Sequence, residues 1–169
     1  MRWLALSGVV FATLAHGGER GFQFRTTVDT GAVAMTQLTM CSDSCGGGLG
    51  ALDVGPIAAV GATAGARFGL FSFHGGGELQ WTWFARAGHS LRAGPLLGVS
   101  FHIERWLVLS LDTKLLFSLV GAPSGAIGGD LRWGFDLTPD GTHQLTASLG
   151  ALWNFGVMFI TSVGYVLTL

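Results

Sequence analysis

Hydrophobic and polar residues alternate from Leu91 to Leu119, with one short break at Glu104 to Trp106. Large apolar residues recur at the odd positions of both arms, whereas Arg92, Asp112 and Lys114 stand at even positions. A period of two is typical of a β-strand with two unlike faces. The segment therefore predicts one β-hairpin of two long strands joined by a very short turn.

The same alternation predicts six further strands, which gives eight in total. Counted with the two arms above, the strands are Gly21 to Met40, Leu52 to Phe73, Leu79 to Ala87, Leu91 to Ile103, Leu107 to Leu119, Asp130 to Leu137, Leu145 to Trp153 and Val157 to Leu169. Turn-forming residues mark the other connections: Cys41 to Gly50, His74 to Glu78, Gly88 to Ser90, Gly121 to Gly128, Thr138 to Gly141 and Asn154 to Gly156.

An even strand number is the rule for bacterial membrane barrels. A ten-stranded barrel stays open at this point, because Asp29 to Gly31 and Thr63 to Gly65 could each be a turn if the alternation restarted unchanged after it.

The composition favours a membrane environment. Of the 169 residues 49% are hydrophobic and only 11% are charged, against about 25% charged residues in soluble domains. The sequence has no uninterrupted apolar run of about 18 residues, which excludes a bundle of membrane helices. A closed β-barrel is the remaining structure that satisfies its backbone inside lipid. The net charge of −1 gives no basic surface for nucleic acid.

Charged residues show which face of the predicted strands meets lipid. A charge on the lipid face costs about 2 to 4 kcal/mol at the midplane. All eleven charged residues within the strands lie on the side opposite the large apolar residues: Arg25, Asp29, Asp53, Arg67, Arg86, Arg92, Asp112, Lys114, Asp130, Arg132 and Asp136. The apolar face is therefore predicted to be the outside. The charged residues are expected to form a paired network that fills the lumen; a narrow pore or a small polar site is the alternative.

Aromatic residues are expected to form two girdles at the membrane interfaces. With both termini on the periplasmic side, one girdle would hold Phe22, Phe24, Trp81, Trp83, Phe101, Phe135 and Tyr165, and the other Phe117, Trp153, Phe155 and Phe159.

The first 17 residues have the features of a cleaved signal peptide; a membrane-anchoring or core helix is the alternative. A positive start at Met1-Arg2 precedes an apolar core from Trp3 to Leu14 and a small-residue cleavage site. Residues 18–169 would then form one barrel domain in the envelope of a Gram-negative-type cell.

The end of the chain resembles the C-terminal β-signal of outer-membrane barrels, although it ends with leucine in place of the usual aromatic residue. The matching positions are Ser162, Gly164, Leu167 and Leu169. The whole mature chain resembles the small eight-stranded outer-membrane barrels. This resemblance implies location in the outer membrane, with lipid around the barrel and insertion by the outer-membrane assembly machinery. It implies little about the task, because the scaffold hosts structural proteins, adhesins and lipid-modifying enzymes.

Residues for catalysis or cofactor binding are not evident in the sequence. The His-x-Ser pair of outer-membrane lipid A deacylases does not occur, and the five histidines lack metal-ligand spacing. We therefore expect no enzyme activity, cofactor or metal. Cys41 and Cys45 are expected to form a disulfide in an oxidising compartment; two free thiols are the alternative.

The sequence thus favours an all-β, transmembrane, antiparallel up-and-down barrel with a structural or surface-interaction role. Its first two strands are about twice the 9 to 11 residues that cross a bilayer. Residues Ala32 to Val60 are therefore expected to project as an extracellular ribbon that contacts a partner. The alternative function is a binder or transporter of small hydrophobic molecules, because apolar residues point inward near the outer rim: Val33, Met35, Ile57, Leu116, Val120, Leu152, Met158 and Ile160.

Overall fold

The computed structural model describes residues 21–39, 48–49, 52–86, 88–104, 106–120, 124–154 and 156–169. The predicted signal peptide, the Cys41 and Cys45 pair and Phe155 lie outside these residues. The strands are β1 (Phe22–Thr39), β2 (Gly48–Leu49), β3 (Asp53–Phe68), β4 (Phe71–Phe84), β5 (Gly88–Glu104), β6 (Leu107–Val120), β7 (Gly125–Asp136), β8 (His143–Trp153) and β9 (Gly156–Thr168). None of the described segments forms an apolar helix of membrane-spanning length.

Eight of these strands form a closed antiparallel barrel. Each of β3 to β8 pairs with the next strand along the chain, and β1 closes the barrel by pairing with both β3 and β9. The two-residue strand β2 pairs with the end of β1. The prediction of an eight-stranded up-and-down barrel is confirmed. The ten-stranded alternative is wrong, because residues 29–31 lie within β1 and residues 63–65 within β3.

The barrel has two rims, which we name from the positions of the described termini. The lower rim contains Gly21, Leu169 and the connections at residues 69–70, 105–106 and 137–142. The upper rim is at the opposite end. It contains the connections that follow β1, β4, β6 and β8.

The strands are staggered by ten residues around the barrel. A path that starts at Arg92 and steps across each directly paired residue returns to the same strand, β5, ten positions further on. The path runs through Gln80, Ala59, Asp29, Gly164, Thr146, Gly134 and Val108 to His102. Such a stagger goes with strands tilted by about 35–45°, and an eight-stranded barrel of this kind is narrow enough for side chains to fill it.

The predicted turn at His74 to Glu78 is wrong. The chain reverses at Gly69 and Leu70, where Gly69 has a φ of 63° that suits glycine. The three glycines that follow His74 are strand residues within β4. A Cβ at Gly76 would overlap the backbone of Ala62 in β3, so glycine here serves close strand approach, not chain reversal.

Two other predicted connections are shorter than expected. Strand β5 already begins at Gly88, and β7 begins at Gly125, so that residues 88–90 and 125–128 belong to the wall. The short connection after Glu104 and the turn around residues 138–141 are found as predicted.

The projecting first hairpin is not confirmed. Residues Ala32 to Met35 pair with β9 as well as with β3, Thr36 and Gln37 pair with β9, and residues Ile57 to Val60 pair with β4 as well as with β1. These residues are therefore part of the barrel wall. The small alanine and threonine side chains on this stretch suggested a ribbon outside the membrane, but they belong to a wall strand. Only the ends of β1 and β3 extend beyond the neighbouring strands.

Apolar side chains cover the outside of the barrel. Leu111, Leu149 and Val163 are more than half exposed near its mid-height. Between the two rims, the outward face of the described strands carries no charged residue. This exterior suits a lipid environment, in keeping with the transmembrane barrel that the sequence predicts.

Exposed aromatic residues lie near both rims. Phe22, Phe24, Phe101, Phe135 and Tyr165 are on the lower side of their strands, and Phe117, Trp153 and Phe159 are on the upper side. The rim predicted for Trp81 and Trp83 is wrong. Because β4 begins at Phe71 and not after residue 78, both tryptophans lie at its upper end, where Trp83 pairs with His89. The lower side gains Phe71, whose ring centroid is 5.0 Å from that of Phe101.

Most buried charged residues of the lumen lie directly opposite glycine in the strand ladders. The pairs are Asp29 with Gly164, Glu78 with Gly61 and Gly94, Asp112 with Gly98, Lys114 with Gly128 and Asp130 with Gly150. A Cβ at Gly164, Gly98 or Gly150 would overlap the carboxylate of the paired aspartate. These inward-facing glycines thus provide the space in which the charged side chains lie.

We predict that Gly98→Ala destabilises the barrel by about 1 to 3 kcal/mol, as overpacking does. Gly98 pairs with both His74 and Asp112, and a Cβ there would overlap the two side chains where they meet. Urea unfolding of the purified protein in lipid vesicles, followed by tryptophan fluorescence, measures the change. Gly77→Ala is the matched control in the same sheet, since its nearest contact would be Gly94 O at 3.6 Å. Equal stability of the two variants would contradict the prediction.

We also predict that Leu111→Arg costs about 2 to 4 kcal/mol, because it places a charge on the lipid face near mid-height. Leu137→Arg, at an equally exposed position in the lower-rim turn, should cost about 0 to 1 kcal/mol. The same unfolding measurement compares the two variants. If both arginines were tolerated alike, the apolar exterior would not face lipid.

Candidate functional site in the lumen

The lumen contains three successive zones between the upper and the lower rim. An apolar cluster lies near the upper rim, an ion-paired network lies at mid-height, and a polar zone of hydroxyl, imidazole and guanidinium groups lies near the lower rim. All three are built from the inward-facing positions of the alternating strands.

Lys114 is the centre of the mid-height network. Its Nζ donates to Glu78 Oε1 at 2.9 Å and lies 2.8 Å from Glu78 Oε2. It also forms an ion pair with Asp130. The three side chains are nearly fully buried. One ammonium group, supplied by β6, therefore links carboxylates from β4 and β7.

Arg132 forms the second half of the network. Its Nη2 donates to Asp29 Oδ2 at 2.9 Å, and its Nε lies 3.9 Å from Asp112 Oδ2. Thr146 also donates to Asp29, at 3.5 Å. Because Arg132 is on β7 and Asp29 is on β1, this ion pair joins strands that are not neighbours in the sheet. The network therefore crosses the interior and does not merely line the wall.

Asp112 connects the network to the lower zone. His74 Nε2 lies 2.8 Å from Asp112 Oδ1. Below it, Arg25 donates to three side-chain oxygens, the closest being Gln23 Oε1 at 2.8 Å; the others are Ser72 Oγ and Ser100 Oγ. Ser110 donates to Ser100 at 2.8 Å, and Ser72 hydrogen bonds with His102. The lower zone is thus a continuous hydrogen-bonded layer.

The structure places seven of the charged residues predicted for the lumen in its interior: Arg25, Asp29, Arg92, Asp112, Lys114, Asp130 and Arg132. Two others lie at the lower rim. Asp136 is half-buried and accepts a hydrogen bond from Gln144, and Arg67 donates to Gly69 O in the adjacent turn.

The inward placement predicted for Arg86 is wrong: this residue lies in the upper-rim turn after β4, and its side chain is exposed. Its backbone N–H donates to Asp53 Oδ2 at 3.1 Å.

Two network residues were not predicted from the sequence. Glu78 and His74 were assigned to a turn because of the glycines between them. The alternation of apolar and polar residues through this segment indicates a strand and could have identified both residues as inward-facing. Large apolar residues stay at odd positions from Phe71 to Trp83, and the polar residues Ser72, His74, Glu78, Gln80 and Thr82 are all at even positions.

The apolar zone is tightly packed. Leu116 and Leu152 are fully buried, and Met158 is 1% exposed. The other buried members are Val33, Ile57, Phe84, Ala126 and Ile160, with Met35 packed against them. Val120, in contrast, is exposed at the upper rim.

The cavities described within the lumen are of water size. One of about 30 Å³ lies beside His74, Asp112, Arg132 and Arg25. Another, of about 10 Å³, lies between Gln80 and the ion-paired network. Volumes of this size hold about one or two water molecules. Among the residues that the structure describes, no cluster of three or more histidine, cysteine or acidic side chains could hold a metal ion.

Comparison with known proteins gives a likeness at the level of the fold. No protein-family model matches the chain, and no curated protein matches it. Among solved structures, the crystal structure of Neisserial surface protein A (NspA) superposes with a TM-score of 0.61 at 14% identity. The superposition covers 85% of this chain and 96% of that chain. At this identity the likeness shows the fold, and the chain therefore has the fold of a small eight-stranded outer-membrane β-barrel.

Proposed function

We propose that this protein is a non-enzymatic, integral outer-membrane barrel with a closed lumen and a structural or surface-interaction role. The observation that carries the proposal is the crossed ion-paired network of Lys114 and Arg132 with four carboxylates, beneath a packed apolar zone. The scaffold would then act through its envelope position and its upper rim, and not through a channel.

The two lumen zones block passage for different physical reasons. In the apolar zone the side chains pack against one another, so a hydrated ion would have to lose its water there without gaining polar partners. In the network the charged groups bind each other across the interior, and opening a path would leave buried charges without partners. The cavities of about 10 and 30 Å³ between described residues support closure, because each has room only for an occupant of about the size of one or two water molecules.

The alternative of a binder or transporter of small hydrophobic molecules gains no support from this packing. Its predicted site coincides with the apolar zone, where Val33, Leu116 and Leu152 are fully buried against their neighbours. An acyl chain would have to displace these side chains.

The last strand supports the proposed location and assembly. Strand β9 pairs with β8 and β1 and so closes the barrel. We propose that its terminal residues Ser162, Gly164, Leu167 and Leu169 are recognised by the outer-membrane assembly machinery.

We propose that the surface role lies at the upper rim. Of the residues Ala32 to Val60 proposed for an extracellular contact, those up to 37 pair with β9 and those from 53 onward pair with β1, so both groups belong to the wall. The proposed contact surface is therefore narrowed to residues 38–52, the segment between these wall residues.

The purified protein is predicted to give no discrete conductance steps in planar lipid bilayers, because both zones close the lumen. Quadruple replacement of Val33, Leu116, Leu152 and Met158 by glycine should still leave the network as a barrier. Adding Lys114→Ala together with Glu78→Ala and Asp130→Ala, which removes the cation along with both of its carboxylates, should allow ion passage. Reproducible ohmic steps from the unaltered protein would show that the lumen is a pore.

Lys114→Met is predicted to destabilise the barrel by about 3 to 5 kcal/mol, because it leaves Glu78 and Asp130 buried without their cation. Adding Glu78→Gln and Asp130→Asn should restore most of the loss. Urea unfolding in lipid vesicles measures both effects. Leu115→Met, at the next, outward-facing position, is the control and should change stability little. A Lys114→Met protein as stable as this control would show that the network does not hold the lumen closed.

Replacing residues 40–47 by an Asn-Gly turn is predicted to leave an assembled barrel, detected by heat-modifiable migration on gels. Removing all of Ala32 to Val60 should abolish assembly, because wall pairings with β9 and β4 are lost. The opposite pattern would mean that the described wall pairings are dispensable.

A further inference from the structure

Arg92 is a buried cation without a carboxylate partner. It lies on β5 beside the apolar zone and is 7% exposed. Its Nη1 contacts Met158 Sδ at 3.2 Å, and its Nε has no hydrogen-bond partner. No acidic group of the described residues lies within ion-pair distance of it, whereas Lys114 and Arg132 each contact two.

Two further polar side chains without partners lie next to Arg92. Gln80 is its direct partner in the ladder, and Thr82 is two residues further along the same strand. Both are 1% exposed. Among the described residues, eight buried polar side-chain atoms lack a hydrogen-bond partner, and four of them belong to Gln80, Thr82 and Arg92. Unsatisfied polar groups are therefore concentrated at one place in the lumen.

The chemistry of this cluster suits an anion. The guanidinium group supplies a full positive charge and several N–H donors, the Gln80 amide supplies an N–H₂ group, and the Thr82 hydroxyl supplies one O–H. A buried charge without a partner is costly, and donors without acceptors add to that cost. Met158 Sδ, a weak acceptor on a flexible side chain, now contacts the guanidinium where a stronger acceptor would bind.

The cluster lies close to the upper rim. Arg92 is four residues from Gly88, where β5 begins at that rim. Ser90 pairs with Thr82 and Ser118 pairs with Arg92, and both serines are only half-buried. The rim side of the cluster therefore carries hydroxyl groups.

We propose that Arg92, Gln80 and Thr82 form a binding site for one small monovalent anion, a halide or a carboxylate of formate size. A single positive charge with two neutral donors balances one negative charge. Met158, which contacts the guanidinium, and the apolar zone beside it disfavour a larger, multiply charged anion such as phosphate, which would keep more of its hydration. Gln80 also borders the small cavity beside the ion-paired network, but Arg92 forms no ion pair with the carboxylates of that network.

The test is chlorine NMR on the purified full chain in detergent micelles, with the line width followed as chloride is added. The protein should broaden the chloride signal beyond the effect of empty micelles. Arg92→Met should abolish the excess broadening. The matched control, Arg67→Met, removes an arginine at the lower rim and should retain it. Sodium formate should remove the broadening by competition, whereas sodium gluconate, whose anion is too large for the site, should not.

The variants Gln80→Leu and Thr82→Val keep the arginine, so they test the anion site even if Arg92→Met does not fold. Each should weaken chloride binding by about tenfold or more, because each removes a donor to a charged ligand. Broadening that persists in Arg92→Met, or in both donor variants, would overturn the proposal. An absence of excess broadening in the unaltered protein, together with no formate binding detected by carbon NMR, would also overturn it and leave water as the only occupant.

Discussion

The structure depends on pairing charges inside a narrow barrel surrounded by lipid. Lys114 and Arg132 each bind two carboxylates, and Arg132 reaches Asp29 on a strand that is not its neighbour. Such contacts are geometrically feasible because eight strands with a stagger of ten residues give a small diameter. A wider barrel would leave the same residues hydrated and apart. Strand number and stagger therefore set the diameter of the barrel, and this diameter allows the charged side chains to pair across the lumen and fill it.

Glycine is the residue that reconciles a narrow barrel with large charged side chains. Asp29, Asp112 and Asp130 each lie over a glycine on the adjacent strand, in a space that a Cβ would fill. Gly164 has two roles at one position. It belongs to the proposed assembly signal of β9, and it also makes room for Asp29, which binds Arg132. The high glycine content of the chain thus reflects lumen packing as well as turns.

Much of the fold follows from the sequence, because the side-chain period of a strand is two and lipid excludes charge from one face. This logic predicts the strand number, the inside and the outside, and most of the charged lumen. This logic fails where a glycine run is compatible either with a turn or with the close approach of two strands. The glycine run after His74 predicts a turn, although Gly76 serves close strand approach, and this wrong turn misplaces Glu78, Trp81 and Trp83 together. The projection predicted for the first hairpin is not confirmed for a related reason, since small outward residues do not distinguish a wall strand from a projecting one.

Alternation also cannot predict which inward charges find partners. Arg92 and Lys114 are both even-numbered residues of the same hairpin, and the alternation predicts an inward-facing cation at each position. Their surroundings depend on the stagger, which brings carboxylates from β4 and β7 to Lys114 but brings Met158 to Arg92. The satisfied cation therefore contributes to closing the lumen, whereas the other, which contacts only the weak acceptor Met158 Sδ, retains donors for a stronger one. Because Lys114 and Arg132 are already compensated by carboxylates, specificity for a solute is most readily carried by Arg92, where that compensation is missing.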